Sequence, residues 1–384
     1  MACFNPKVAY RSEQLTKNGK RKIRFLSDQE ADANFQDLKD DVYFLIPCGK
    51  CEGCRLDHAR HWADRLVLEM DHMKKAVFLT LTYSPGYLPP SAVSPFGEPI
   101  YIPNEKGRPV SPLVPDHMPE FMKRLRERLN REDMLVQLFQ ERRSMCNSRR
   151  DDGWPQVKIR FFGCGEYGEE RGRPHLHIIL FGLSLDDLAY LQGSSLKMVK
   201  KNELGQVTYG SEFLANLWDK GYADVSEVSQ YVMNYVARYT QKKANGNDYA
   251  IRYGLPDEFI RMSRRPGIGA YFLEDHPGVI DQVSYWRMAD REIYWPSYLV
   301  RKNHEKIVDI ESFDIYNGTA IHTDYKTLDV RGLQTLKEKH DSAVNKFLNT
   351  FESDSRPYKE HQLFLQRQLH ERVKKAKRGD VNDC

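Results

Sequence analysis

His175-Leu176-His177 opens an apolar run. In an extended strand, residues two apart point to the same side, so both imidazoles face one way and Leu176 faces the other, toward a core. Two imidazoles aimed at one point can hold a divalent ion. Downstream, Tyr231, Tyr235 and Tyr239 fall at i, i+4 and i+8, which on a helix lines three phenols along one stripe. A phenol oxygen can attack phosphorus. Arg238, Lys242 and Lys243 lie within a turn of these tyrosines. A nearby cation lowers a phenol's pKa and also binds phosphate. Attack on a DNA phosphate leaves a 3′-hydroxyl and a 5′-phosphotyrosine, which conserves the bond energy for rejoining. Two tyrosines one turn apart could alternate as nucleophile. The plain alternatives are a pair of surface histidines and a packed aromatic stripe. Val232, Val236 and Met233 already supply that helix with an apolar face, which weighs against the second.

A third ligand follows from the strand before the histidines. Residues 158–166 and 174–181 read as two strands joined by a Gly-rich turn near Glu170-Arg171. A hairpin folded there sets Glu166 opposite His175 and Cys164 opposite His177. Strand parity then gathers Glu166, His175 and His177 on one face. Two imidazoles and a carboxylate suit Mg²⁺ or Mn²⁺ with open positions, and would also accept Zn²⁺. Such an ion polarises a phosphoryl oxygen and offsets charge in the transition state.

Three of the seven cysteines crowd into Cys48-Gly49-Lys50-Cys51-Glu52-Gly53-Cys54. Three thiolates at this spacing can converge on one ion, and Cys3 could complete a tetrahedral Zn²⁺ set. His58 or His61 could replace Cys3, an iron–sulfur cluster fits the same spacing, and free thiols are the plain alternative. Structural zinc is favoured over a cluster, because nicking needs no electron carrier. The N-terminus has no apolar stretch like that of a secretory signal, so metal ligation is expected rather than a disulfide framework.

The surrounding elements must position these groups. Leu56, Ala59, Ala63, Leu66, Met70 and Met73 recur at helical spacing. Residues 77–83 alternate as a strand, 115–131 read as a helix, 213–218 as a short helix, and 222–225 as a strand. Residues 229–243 form the tyrosine helix. The order strand, helix, hairpin, helix, strand, helix predicts an α+β fold with a central antiparallel sheet. Three regions are expected. Residues 1–75 form a Cys-rich segment and helix, 76–245 the core, and 246–384 an extension with a basic loop and two helices near 333–351 and 357–377. In that loop Arg264 and Arg265 are candidate phosphate contacts. Tyr271, Phe272, Tyr285 and Trp286 are candidate stacking platforms for unpaired bases, with packing as the alternative.

The 384 residues allow two domains or one elaborated domain. A net charge of +4 permits nucleic-acid binding without arguing for it. No apolar run approaches the roughly 18 residues of a membrane span.

Four stretches resemble the HUH endonuclease superfamily, and within it the replication initiators of microviruses, in particular the gokushovirus branch. Phe78-Leu79-Thr80-Leu81-Thr82-Tyr83 is similar to the first motif. Gly165-Glu166-Tyr167-Gly168 with Gly172-Arg173-Pro174-His175-Leu176-His177 is similar to the metal motif. Tyr235 to Lys242 resembles the two-tyrosine motif, with Arg238 and Lys242 in its basic positions. Cys48 to Cys54, with Cys3, resembles the cysteine-rich entry of the gokushovirus proteins. The resemblance runs from residue 1 to about 275.

It implies a ferredoxin-like or RRM-like sheet with the nucleophile helix across its metal face. The implied ligands are His175, His177 and Glu166, and the implied nucleophiles are Tyr235 and Tyr239, Tyr231 being an extra phenol. The implied task is nicking the viral double-stranded origin to start rolling-circle replication in the host bacterial cytoplasm. Partners would be single- and double-stranded origin DNA, a host helicase and a host polymerase, with no membrane. No Gly-x4-Gly-Lys-Ser/Thr loop occurs, so unwinding would need a separate motor. A plasmid relaxase, an HUH-type transposase and a non-catalytic zinc-stabilised nucleic-acid-binding protein are the rival readings. A cyclic-phosphate hydrolase would need paired His-x-Thr motifs, which the sequence lacks.

Overall fold

In the computed structural model the described residues are 3–16, 21–27, 30, 43–168, 171–202, 205–229, 232–237, 248–288, 291–314, 319–328, 331, 334–339, 341–342, 345, 363–368 and 370–371. The chain divides into two compact units, one of residues 59–279 and one of residues 1–58 with 280–384.

The larger unit is organised by the alternation already visible in its strands. β1 (Ala76–Tyr83), β2 (Arg160–Tyr167), β3 (Pro174–Phe181), β4 (Lys197–Lys201), β5 (Val207–Gly210), β6 (Gly221–Glu227) and β7 (Phe259–Met262) form one sheet. Its order is β4-β5-β6-β1-β3-β2-β7, antiparallel throughout. The expected register holds: His175 pairs with Glu166 and His177 with Cys164. On the other side of β3, His175 pairs with Thr82 and His177 with Thr80.

The two sheet faces have different fates. Val77, Leu79, Leu81 and Tyr83 of β1, Leu176, Ile178 and Leu180 of β3, and Ala223 and Val225 of β6 are buried in one core. Helices after α1 (Glu52–Met73) supply its other half. They are α2 (His117–Leu129), α3 (Glu132–Glu141), α4 (Leu185–Gln192) and α5 (Glu212–Trp218). From α2 come Met118, Phe121, Met122, Leu125 and Leu129, the stripe expected from the sequence. Each such side chain contributes roughly 1.5–3 kcal/mol on burial.

The opposite face carries the histidines. Here Trp62 of α1 packs on Phe162 of β2, with ring centroids 5.2 Å apart. Glu69 and Arg160 form a buried ion pair between the same two elements. Gly221 allows β6 to meet β1 at this point: its φ is +151°, and a Cβ there would lie 2.2 Å from the Thr82 carbonyl oxygen.

Among the described residues, the helix and strand positions read from the sequence are present. Four features were not expected: α3, α4, the β4–β5 hairpin and the edge strand β7. The smaller unit adds a three-stranded antiparallel sheet with Lys7–Leu15 between Arg21–Phe25 and Tyr43–Ile46. It also has hairpins of Tyr285–Met288 with Arg291–Tyr294 and of Glu305–Asp314 with Thr319–Leu328. Residues 334–339 and 363–368 are helical, inside the two helices expected near the C-terminus.

Candidate metal and nucleophile site

Pairing of β2 with β3 brings three donor atoms together. Glu166 Oε1 lies 2.8 Å from His175 Nε2 and 2.8 Å from His177 Nε2, and the two Nε2 atoms are 3.1 Å apart. The outer ring nitrogens are fixed by the strands themselves. His175 Nδ1 stands 3.0 Å from the Arg173 carbonyl oxygen. A carbonyl can only accept, so the neutral imidazole carries its proton on Nδ1 and turns the Nε2 lone pair inward. His177 Nδ1 stands 3.0 Å from Thr80 Oγ1 on the neighbouring strand, which orients its ring the same way. Partners of this kind set the tautomer and raise the basicity of a metal-binding histidine. Phe78 stacks on His177 with centroids 5.2 Å apart, which closes one side.

The donor set fits a hard divalent ion. Three mutually perpendicular bonds of roughly 2.1 Å place their donors about 3.0 Å apart, whereas tetrahedral bonds of that length spread them to about 3.4 Å. The spacings of 2.8 to 3.1 Å match the octahedral case, and so Mg²⁺ or Mn²⁺ better than Zn²⁺. Glu166 is buried, which by itself would raise its pKa. Hydrogen bonds and charge from His175 and His177 outweigh that and hold the carboxyl well below the ordinary carboxylate range.

Beside the donors is a cavity of about 410 Å³ lined by Thr80, Thr82, Gly168, Arg171, Arg173, His175 and His177. Arg171 is exposed there, and Arg173 donates to the Tyr83 carbonyl oxygen. The turn leading to β3 depends on Gly172, whose φ is +61° and whose Cβ would collide with the Tyr249 ring at 2.1 Å. The cavity therefore offers cationic and hydroxyl donors next to the point where the three ligands converge, an environment suited to a phosphodiester.

Tyr235 reaches this site. It lies in the helical residues 232–237, half-buried, with its ring 5.9 Å from that of His177 at an interplanar angle of 77°. Val232, Met233 and Val236 of the same helix are buried, as expected from its apolar face. Tyr231, Arg238, Tyr239, Lys242 and Lys243 lie outside the described residues.

The cysteines gather elsewhere. Cys3, Cys48, Cys51 and Cys54 place their sulfurs within 4.8 Å of one another, in the smaller unit. Arg264 and Arg265 are exposed in a turn that the rest of its unit holds firmly. Arg65 Nε donates to the Ile268 carbonyl at 2.9 Å, Arg160 to that of Pro266 at 2.9 Å, and the Gly269 amide donates to Glu69 at 2.5 Å. The base-stacking expectation fails for two aromatics in that region. Phe272 is fully buried, and Tyr271 is occupied by His72, which stacks on it at 5.0 Å. Tyr285 packs against Tyr294 at 5.6 Å.

Sequence reasoning gave no role to Thr80, Thr82, Arg171 or Arg173. For the threonines the signal was present. Thr80 and Thr82 alternate with buried Leu79, Leu81 and Tyr83, so parity alone sends them to the histidine face.

Three comparisons bear on this arrangement. The family model of replication-associated proteins of the ORF2 type matches residues 76–244, which contain the sheet strands β1 to β6 and all three metal-binding side chains. Over 297 residues the chain is 31% identical to replication-associated protein ORF2 of Spiroplasma virus 4, covering 76% of each protein. It is 30% identical over 239 residues to replication-associated protein VP4 of Bdellovibrio phage phiMH2K, covering 62% of this chain and 60% of that protein. Similarity to replication-associated protein ORF4 of Chlamydia phage 1 is 29% over 246 residues, covering 63% of this chain and 48% of that protein. No solved structure matches the chain.

Proposed function

Because the chain belongs to the replication-associated protein family of phages, we propose that it is a metal-dependent, site-specific DNA-nicking and strand-joining enzyme that starts rolling-circle replication. The observation that carries this reading is the approach of Tyr235 to the Glu166, His175 and His177 donors beside a cavity lined by hydroxyls and guanidinium groups. Relatives from a virus and two phages favour it over a plasmid relaxase or a transposase.

Glu166, His175 and His177 would hold Mg²⁺ or Mn²⁺, which when bound polarises the scissile phosphate and offsets charge on it. Thr80 and the Arg173 carbonyl keep both imidazole lone pairs turned inward. Arg171 and Arg173 draw the phosphate into the cavity. Tyr235 Oη forms a bond to phosphorus and loses its proton to solvent. The bond from phosphorus to the 3′ oxygen breaks, and that oxygen leaves with the electron pair and takes up a proton. The products are a 5′-phosphotyrosine and a 3′-hydroxyl for a polymerase to extend. Reversal with a new 3′-hydroxyl rejoins the strand, and Tyr239 one turn on is the second nucleophile. Arg238, Lys242 and Lys243 add phosphate contacts, and Arg264 and Arg265 grip flanking DNA. The setting is the host cytoplasm, with host helicase and polymerase as partners.

The test is incubation with tiled single-stranded oligonucleotides from the encoding genome and Mn²⁺, followed by mass mapping of any covalent adduct. The expected result is one cleaved sequence, an adduct on Tyr235 or Tyr239, and none with Tyr235→Phe plus Tyr239→Phe. Nicking by that double variant would overturn the reading.

A further inference from the structure

We propose that Cys3, Cys48, Cys51 and Cys54 bind a single tetrahedral zinc ion that staples the N-terminal sheet. The site is independent of the nicking reading and lies in the other unit. Zinc–sulfur bonds of about 2.3 Å set tetrahedral sulfurs about 3.8 Å apart. Here Cys48 Sγ lies 3.9 Å from Cys54 Sγ, and Cys3 Sγ lies 3.9 Å from Cys51 Sγ. A disulfide needs about 2.05 Å, so these four are thiols. Spacing in the sequence left zinc and an iron–sulfur cluster open. The geometry separates them, because a cluster spreads its cysteines over different iron atoms. All four sulfurs within 4.8 Å of one another fit one ion.

The backbone supports the same assignment. Amide N–H groups of Cys48 and Cys51 point at the sulfurs of Cys3 and Cys48, each at 3.3 Å. Such donors offset the negative charge that four thiolates bring to one divalent ion. Gly49, at φ +72°, bends the chain so that Cys48 and Cys51 converge.

The need for a staple is visible in the sheet between Cys3 and Cys48. Its described buried side chains are Val8, Ala9, Ser12 and Leu45, and Arg21–Phe25 is exposed throughout. A three-stranded sheet with so little apolar burial is marginal alone. Joining Cys3 to Cys48 closes a loop of 45 positions around it, and a metal clip on a long loop removes much unfolded-state entropy.

The full-length chain, purified without added metal, is analysed for metal content. One zinc per chain is expected, retained by His175→Ala plus His177→Ala and lost from Cys51→Ser plus Cys54→Ser. The cysteine variant should be cut by trypsin at Arg21, Lys22 or Arg24 at least about tenfold faster than the wild type. A second measurement needs no variant. Alkylation of the wild type should spare Cys3, Cys48, Cys51 and Cys54 until a strong chelator removes the zinc, with Cys146 unchanged by the treatment. Zinc that survives loss of the cysteines, alkylation that ignores the chelator, or iron with equal inorganic sulfide would each overturn the proposal.

Discussion

The two places where this chain gathers metal-binding side chains are built on opposite plans. Glu166, His175 and His177 come from neighbouring strands of a seven-stranded sheet, and a cavity opens beside them. Cys3, Cys48, Cys51 and Cys54 come from the margins of a small sheet, and they surround their centre on all sides. Oxygen and nitrogen donors from three positions leave room for a substrate. Four sulfurs leave none. The first plan puts rigidity into the scaffold so that the ion's open side can do chemistry. The second asks the ion to supply the rigidity that its scaffold lacks.

The contrast can be broken most sharply at His177. His177→Ala should lower covalent adduct formation with Mn²⁺ by roughly 10³-fold while zinc content stays at the wild-type level. Gel assays of the adduct and metal analysis of one preparation check both halves, and loss of zinc together with nicking would erase the distinction. A smaller effect is expected at the hydroxyl behind that ring. Thr80→Val removes the partner of His177 Nδ1 and should weaken Mn²⁺ binding by about 10- to 100-fold, measured by titrating adduct yield against Mn²⁺.

Third comes the pH dependence of the metal-free sheet site. Glu166 has its pKa lowered in the folded chain, so its pairing stabilises the fold fully above the ordinary value of 4.5. That stability is lost as pH falls below 4.5 toward the lowered value. The gap in melting temperature between wild type and Glu166→Gln, with chelator present, should stay constant from about pH 7 to about pH 5 and shrink on further acidification. A gap that widens in acid would reverse the sign. The smallest effect concerns the cysteine site. Gly49→Ala forces a Cβ into a left-handed conformation at a cost of about 1 kcal/mol, hence roughly fivefold weaker zinc binding by competition with a chelator.

Much of the sheet site was legible because β2 and β3 obey a period of two and the turn between them is marked by glycine. Once Glu166 and His175 were paired across that turn, parity carried the rest. The helix of Met118, Phe121, Met122, Leu125 and Leu129 was legible for the same reason at a different period. The N-terminal strands were not, since Arg21–Phe25 buries nothing and so leaves no pattern. Lys197–Lys201 escaped notice likewise, as an exposed basic strand at the sheet's edge. For α4 the signal existed and went unread. Ser184 and Asp187 form a reciprocal cap, a spacing visible in any sequence. The role of Arg173 was not legible, because it depends on its contact with Tyr83, ninety positions away.

One strand has a consequence for how errors in this protein are noticed. In β3 the residues that face the metal site alternate one for one with Leu176, Ile178 and Leu180, which fill the core. A slip of one position would turn the histidines inward and those leucines and isoleucine outward together. No misaligned version of this strand can be well packed and chemically dead. Any chain stable enough to escape a host protease has therefore already passed an inspection of its reaction centre.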